Sequence, residues 1–144
     1  AGNLADGKMT FIKEQTGSSS SSISFVHGSS SVVFDSTYPI YLIKYINVFS
    51  SSGQNIAMNF TTDGSNFNVN MTTTTFVGEH AEDGRSVARL DYSEGYDTAQ
   101  GTDQTVFNIN KGGLRDASDS SGSGEIFIFN PSSISLLKTR TSIN

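Results

Sequence analysis

The run Ile40-Tyr41-Leu42-Ile43-Lys44-Tyr45-Ile46-Asn47-Val48-Phe49 constrains this chain more than any other stretch. Nearly every residue in it is β-branched or aromatic, the types that fit a pleated surface. With period two, Ile40, Leu42, Ile46 and Val48 point one way, broken only by Lys44, while Tyr41, Ile43 and Tyr45 point the other. Both faces are largely apolar, which predicts a strand covered on both sides or lying at the centre of a sheet, and a central strand is the reading taken. A helix is the rival reading. It is disfavoured because the run holds no Ala, Glu or Gln, and because Pro39 biases Tyr38 toward extended backbone.

A chain of 144 residues has the length of one domain and can bury about two-thirds of its unfolded surface. No apolar run approaches the roughly 20 residues that span a bilayer, so membrane insertion is not expected. The opening Ala1-Gly2-Asn3-Leu4-Ala5-Asp6 lacks the basic and apolar regions of a signal peptide, and none is expected there. The absence of cysteine excludes disulfides and thiolate metal sites and leaves the redox compartment undetermined. Fourteen acidic residues face nine basic ones, a net charge of −5, with no cluster of Lys or Arg. Nucleic acid is therefore not an expected partner, because phosphate binding needs a positive stripe. Only 16% of residues are charged, while Ser, Thr, Asn and Gly abound. Such a surface suits an extracellular or virion β-protein.

In chain order, residues 1–8, which lie outside those the structure describes, read as a polar arm ending at the Asp6-Gly7 turn signal. Met9-Thr10-Phe11-Ile12 predicts a short strand, the serine run 18–22 a loop, and Ile23-Ser24-Phe25 a second strand. His27-Gly28 turns the chain toward the 40–49 run. Beyond Gly53, Ile56, Met58 and Phe60 alternate with polar or small residues, as do Phe67, Val69 and Met71. That pattern predicts a hairpin turning at Asp63-Gly64, with Met58, Phe60, Phe67 and Val69 on one face. Within it, Asn59-Phe60-Thr61 and Asn70-Met71-Thr72 match the N-glycosylation pattern, one short enough to arise by chance. Gly78 to Arg85 predicts a charged loop, 87–92 and 106–109 strands, 111–124 a polar loop, and Ile126-Phe127-Ile128-Phe129 a second strand apolar on both faces. Ile134, Leu136 and Ile143 belong to the last segment. No helical period appears. Short strands between turn signals predict an all-β fold, an antiparallel, jelly-roll-like β-sandwich with long polar loops over residues 9–144, following the arm at 1–8.

The acidic side chains concentrate in two regions, Glu79, Glu82 and Asp83 in one and Asp91, Glu94 and Asp97 in the other. A glycosidase needs two carboxylates at a defined separation, and nothing in the spacing sets one. Asp91, Glu94 and Asp97 offer oxygen ligands of the kind calcium takes, without matching a calcium-loop pattern. Solvated loop acids are the expected reading. His27 and His80 are the only histidines; no nucleophile-elbow pattern accompanies them, and a metal would need a third ligand. Tyr41, Tyr45, Tyr92 and Tyr96 are candidates for a sugar-stacking platform, although Tyr41 and Tyr45 are expected to pack in the sheet. No catalytic, cofactor-binding or metal-binding residue is assigned, and no cofactor is expected.

Several stretches, in order, resemble a family of bacteriophage virion proteins, especially of marine phages. They are Gly7-Lys8-Met9-Thr10-Phe11-Ile12-Lys13, Ser24-Phe25-Val26-His27-Gly28, Phe34-Asp35-Ser36-Thr37-Tyr38-Pro39-Ile40-Tyr41, Glu79-His80-Ala81-Glu82-Asp83, Tyr96-Asp97-Thr98-Ala99-Gln100-Gly101-Thr102 and Ile128-Phe129-Asn130-Pro131-Ser132-Ser133. The resemblance implies a β-sandwich structural component of the particle, of tail-fibre type or unassigned, with no catalytic residues to carry over. Members of that family continue past the stretch matching Lys138-Thr139-Arg140 with further strands. The expectation is then a shorter variant or a fragment, whose uncovered edge a neighbouring subunit, or the remainder of a longer chain, would cover. The function expected is a non-enzymatic virion component, a tail fibre or appendage or a capsid decoration, contributing to host-surface attachment. Its expected partners are other virion proteins, further copies of itself (three, by the fibre resemblance) and a host-surface glycan. The alternatives are a stand-alone carbohydrate-binding module and a fibre-borne glycan hydrolase.

Overall fold

The computed structural model describes residues 9–80, 88–92, 94–102, 105–107, 121–132 and 138–143. Among them the chain is built of strands with one short 3₁₀ turn: β1 Ile40–Val48, β2 Ile56–Met58, β3 Phe76–His80, β4 Ala88–Tyr92, the turn Glu94–Tyr96, β5 Thr105–Phe107, β6 Gly122–Phe129 and β7 Lys138–Ile143. They form three small sheets, ordered β1-β6-β7, β2-β5 and β3-β4. The all-β class follows directly. Two compact units share the chain, one holding the described residues of Ala1–Tyr41 and Ile128–Lys138, the other those of Leu42–Phe127 and Thr139–Asn144.

The 40–49 run is a strand, but it lies at the edge of its sheet rather than at the centre, which β6 occupies. The Lys44–Glu125 ion pair at 2.8 Å and the Asn47 N–H bond to Ser123 Oγ at 3.0 Å advance along β1 while retreating along β6, so the two strands are antiparallel. One parity of β1 is the more covered, although Leu42 and Val48 on the other are half-buried as well. Tyr41 is buried and Ile43 and Tyr45 are half-buried, whereas Ile40 and Ile46 are exposed, Ile46 at 76%. Lys44 shares that exposed parity, so the polar break in the sequence was the better guide to the wet face. β1 ends at a local kink, because Asn47 sits at φ 53°, a left-handed conformation that Asn tolerates.

In β6 the buried side chains are Ile126 and Ile128, while Phe127 and Phe129 are half-covered. The strand starts at Gly122, four residues before the apolar run and inside the segment expected to be a polar loop. Small residues at 122–124 carry no periodic signal, yet their backbone extends the ladder.

The first unit keeps Val32, Tyr41 and Ile128 buried. Around Tyr41 stand the rings of Phe34, at 5.3 Å and tilted, and of Tyr38, at 5.7 Å and edge-on. The chain enters this cluster through a tight knuckle in which Gly28 N–H donates to Val32 O and Val32 N–H to Ser29 O. Gly28 sits at φ 79°, where a side chain would be strained. Neither Met9-Thr10-Phe11-Ile12 nor Ile23-Ser24-Phe25 joins a ladder, although both have strand composition. Their alternation is too short to outweigh the absence of a partner edge among the described residues.

The expected hairpin over 56–71 is half right. Its turn exists, but its arms pair elsewhere. β2 takes β5 as its antiparallel partner, with Ile56 opposite Phe107, and Met71 bridges Gly101. The second arm then zips down 97–101, where Thr73 and Thr98 exchange bonds and Thr75 N–H reaches Asp97 Oδ1 at 2.9 Å. β3 and β4 continue that line, with Phe76 opposite Tyr92 and His80 opposite Ala88. Gly78, Glu79 and His80, expected in a charged loop, therefore lie in a strand. Local alternation names a strand without naming its partner.

Candidate functional site

In the second unit, the acids of the 91–97 region lie in and beside the β3–β4 ribbon. Asp97 accepts from Thr75 N–H through Oδ1 and from the Tyr92 hydroxyl through Oδ2. The hydrogen bond to Asp97 raises the Tyr92 phenol above its ordinary range, with lesser contributions from burial and from the charge of Glu94. Asp91 lies 3.9 Å from Arg89 on the same strand, and Glu94 opens the 3₁₀ turn. Among the described residues no group of three or more His, Cys, Asp or Glu is placed to hold a metal. The backbone of Glu79 lies in β3, while Glu82 and Asp83 fall outside the described residues.

His27 and His80 have separate surroundings. His27 Nδ1 accepts the Phe34 N–H at 3.0 Å, so the imidazole closes the knuckle of the first unit, and His80 is exposed at the end of β3. Neither lies in a nucleophile–base arrangement recorded among the described residues. Among the tyrosines, Tyr41 is core and Tyr45 is half-buried, its hydroxyl enclosed without a hydrogen-bond partner among the described residues. Burial pushes the Tyr45 phenol upward. Tyr92 packs against Phe76 with ring centroids 5.6 Å apart, and Tyr96 is half-buried in the 3₁₀ turn. Tyr41 belongs to the first unit and Tyr45, Tyr92 and Tyr96 to the second.

Asp63 is the most heavily hydrogen-bonded carboxylate among the described residues. Its Oδ1 accepts from Ser65 N–H, Asn66 N–H and the Thr61 hydroxyl, and its Oδ2 from Asn66 Nδ2. Those bonds, led by Asn66, hold the carboxyl well below the usual carboxylate range. Gly64 at φ 78° completes the turn. This is turn chemistry, satisfied within itself.

The concave feature that sequence reasoning missed lies in the first unit. A groove of about 380 Å³ runs between Thr10, Phe11 and Ile12 on one side and Ser31, Val33, Thr37 and Tyr38 on the other. Its hydroxyls and apolar groups are comparable in number, and no ionisable acid or base lines it. The lining is held by neighbours: Thr37 N–H donates to Asp35 Oδ1 at 2.7 Å, and the Tyr38 ring stands edge-on to buried Tyr41. Thr37 also accounts for the depressed carboxyl of Asp35, with a smaller charge effect from His27. Nothing in the composition of 10–12 or 31–38 marked them as a groove, because their meeting is tertiary.

No known protein family, curated protein or solved structure matches the chain. Among the described residues no helix is long and apolar enough to cross a membrane.

Proposed function

We propose that this chain is a non-enzymatic structural component of a bacteriophage particle, a tail fibre or appendage or a capsid decoration, that contributes to host-surface attachment. The observation that carries the reading is the balance of its apolar side chains. Among the described residues, four hydrophobic side chains are buried and twelve large ones are exposed, including Leu90 at 81%, Ile46 at 76% and Phe76 at 67%. Three of them, Phe76, Leu90 and Tyr92, share one face of the β3–β4 ribbon, and contiguous exposed apolar surface of this kind marks interaction surfaces. A subunit made to be covered by other virion proteins, and by further copies of itself in a trimer, accounts for it. The ordered resemblance to virion proteins supports the same assignment. The finer architecture that goes with it is an antiparallel, jelly-roll-like sandwich, in which the three small sheets are parts of two packed layers.

The non-enzymatic part rests on how the carboxylates are used. Asp35, Asp63 and Asp97 each hold local backbone N–H groups, which favours a structural role over acid–base chemistry. Mass spectrometry of purified particles tests the whole reading. The chain is expected as a band of fixed copy number that survives stringent washing. Its absence from particles made in cells that express it overturns the proposal.

A further inference from the structure

We propose that the groove between residues 10–12 and 31–38 binds a neutral saccharide. The inference deepens the attachment reading above and takes its biological setting from it, but its chemistry comes from the lining. A pyranose presents two kinds of surface, a C–H face that packs on an aromatic ring and a rim of hydroxyls that both donate and accept. The groove offers both counterparts. Phe11 is exposed beside it and Tyr38 lies within it, while Thr10, Ser31 and Thr37 supply side-chain hydroxyls that can also donate and accept. Ile12 and Val33 add apolar wall. A volume of about 380 Å³ lies within the range of small-molecule sites, roughly 300–1,000 Å³.

What is missing from the lining narrows the ligand class. Neither Lys, Arg nor His lines the groove, so a phosphate or an acidic sugar has no cation to meet. Neither Asp nor Glu lines it, so a cationic ligand has no carboxylate to meet. The mixture of hydroxyls and hydrocarbon fits an uncharged, polyhydroxylated molecule better than a lipid chain.

The backbone gives an independent reason to assign function here. Ser30 and Ser31 follow one another at φ 51° and 65°, both in the left-handed region that residues other than glycine seldom adopt. Such strain persists only where the surroundings over-determine it, and it concentrates at ligand clamps. The surroundings are the knuckle bonds from Gly28 to Val32 and from Val32 to Ser29, anchored on buried Val32. They set Ser31 at the groove before any ligand arrives, and the edge-on contact with Tyr41 orients Tyr38 in the same way.

The test is an NMR titration of the full isotope-labelled chain with maltotriose, cellotriose and chitotriose, and with sialyllactose as the acidic comparison. At least one neutral probe is expected to shift the amides of Phe11, Ser31 and Tyr38 with a dissociation constant of about 1 mM, as a shallow groove would give. Phe11→Ala should weaken that binding about tenfold or more at an unchanged melting temperature. Ser31→Gly keeps the backbone conformation, removes the hydroxyl and should weaken it in the same way. No shift from any neutral probe, shifts confined to other regions, equal binding of sialyllactose, or full binding by both variants would each overturn the site. The two proposals separate cleanly. Binding by a chain absent from particles upholds the groove and removes the virion reading. A particle-borne chain that binds none of the neutral probes does the reverse.

Discussion

The Tyr41 hydroxyl bridges the backbone of Asp35: it accepts the Asp35 N–H at 3.3 Å and donates to the Asp35 carbonyl oxygen at 3.4 Å. One buried side chain thereby fixes a non-repetitive segment, 34–38, that has no ladder of its own. The ring supplies the apolar contact to Phe34 and Tyr38, and the hydroxyl pairs with polar groups of the backbone in a partly buried site. Because Thr37 and Tyr38 line the groove, its geometry depends on this one residue of β1.

Removing only the hydroxyl separates these roles. Tyr41→Phe keeps the ring packing and leaves the Asp35 N–H unpaired, at an expected cost of about 1–2 kcal/mol. Tyr41→Ala also empties the ring site and should cost about 3–5 kcal/mol. Urea denaturation measures both. Equal losses for the two variants would mean that the ring contributes nothing.

β6 and β1 make a paired prediction about which parity is core. Ile126→Ala and Ile128→Ala should each cost about 2–5 kcal/mol, since both side chains are buried. An Asp at either position should prevent folding, whereas Phe127→Asp, on the half-covered parity, should be the milder change. Ile46→Lys should fall within about 0.5 kcal/mol of the parent because Ile46 is 76% exposed. A large loss from Ile46→Lys, measured by the same denaturation, would restore a doubly covered β1.

These elements show how far the sequence could be read. β-branched and aromatic runs located β1 and the apolar half of β6, and the alternation of Ala88, Leu90 and Tyr92 located β4, because strand composition and period are local properties. The partner of a strand is not local. Met58 and Val69 share a period and are joined by a good turn, yet Ile56–Met58 pairs with Thr105–Phe107 far along the chain. Of the candidate acids, Glu94 and Asp97 lie outside strands as expected, whereas Glu79 and Asp91 belong to β3 and β4; the groove was not legible, since Phe11 and Tyr38 meet only in the folded unit. The 134–136 segment lies outside the described residues.

Asp63 makes a pH prediction with a definite sign. Its folded carboxyl is held below its unfolded value of about 3.9, so the stability it contributes is complete above that value. It is lost as the pH falls from about 4 toward the lower folded value. Amide exchange at Ser65 and Asn66, corrected for its intrinsic pH dependence, should be slow at pH 5–7 and rise only below about pH 4. Asp63→Ala should show fast exchange at every pH. Protection that is independent of the carboxylate would sink the account.

His27 closes the knuckle by accepting the Phe34 N–H through Nδ1. His27→Ala leaves that donor to solvent and should speed exchange at Phe34 severalfold. His27→Asn offers a side-chain oxygen and should recover part of the protection. Rescue by Asn without rescue by Leu would assign the effect to the acceptor, whereas equal rescue by both would assign it to bulk.

The β3–β4 ribbon carries the clearest surface for assembly. Register places Phe76 opposite Tyr92, Gly78 opposite Leu90 and His80 opposite Ala88, all on one face. Leu90 is 81% exposed, and Phe76 and Tyr92 are exposed beside it, while Arg89 and Asp91 lie on the opposite parity. A two-stranded ribbon is marginal alone in water, and an uncovered apolar face does nothing to stabilise it. In the proposed particle this face is covered by a neighbour. Leu90→Lys should therefore leave the melting temperature of the isolated chain within about 2 °C, a surface effect. The same substitution should abolish incorporation into particles, read by mass spectrometry, because it buries an unpaired charge at the contact. Normal incorporation would exclude this face as the interface. A large loss of stability in the isolated chain would instead mean that Leu90 already packs within its own subunit.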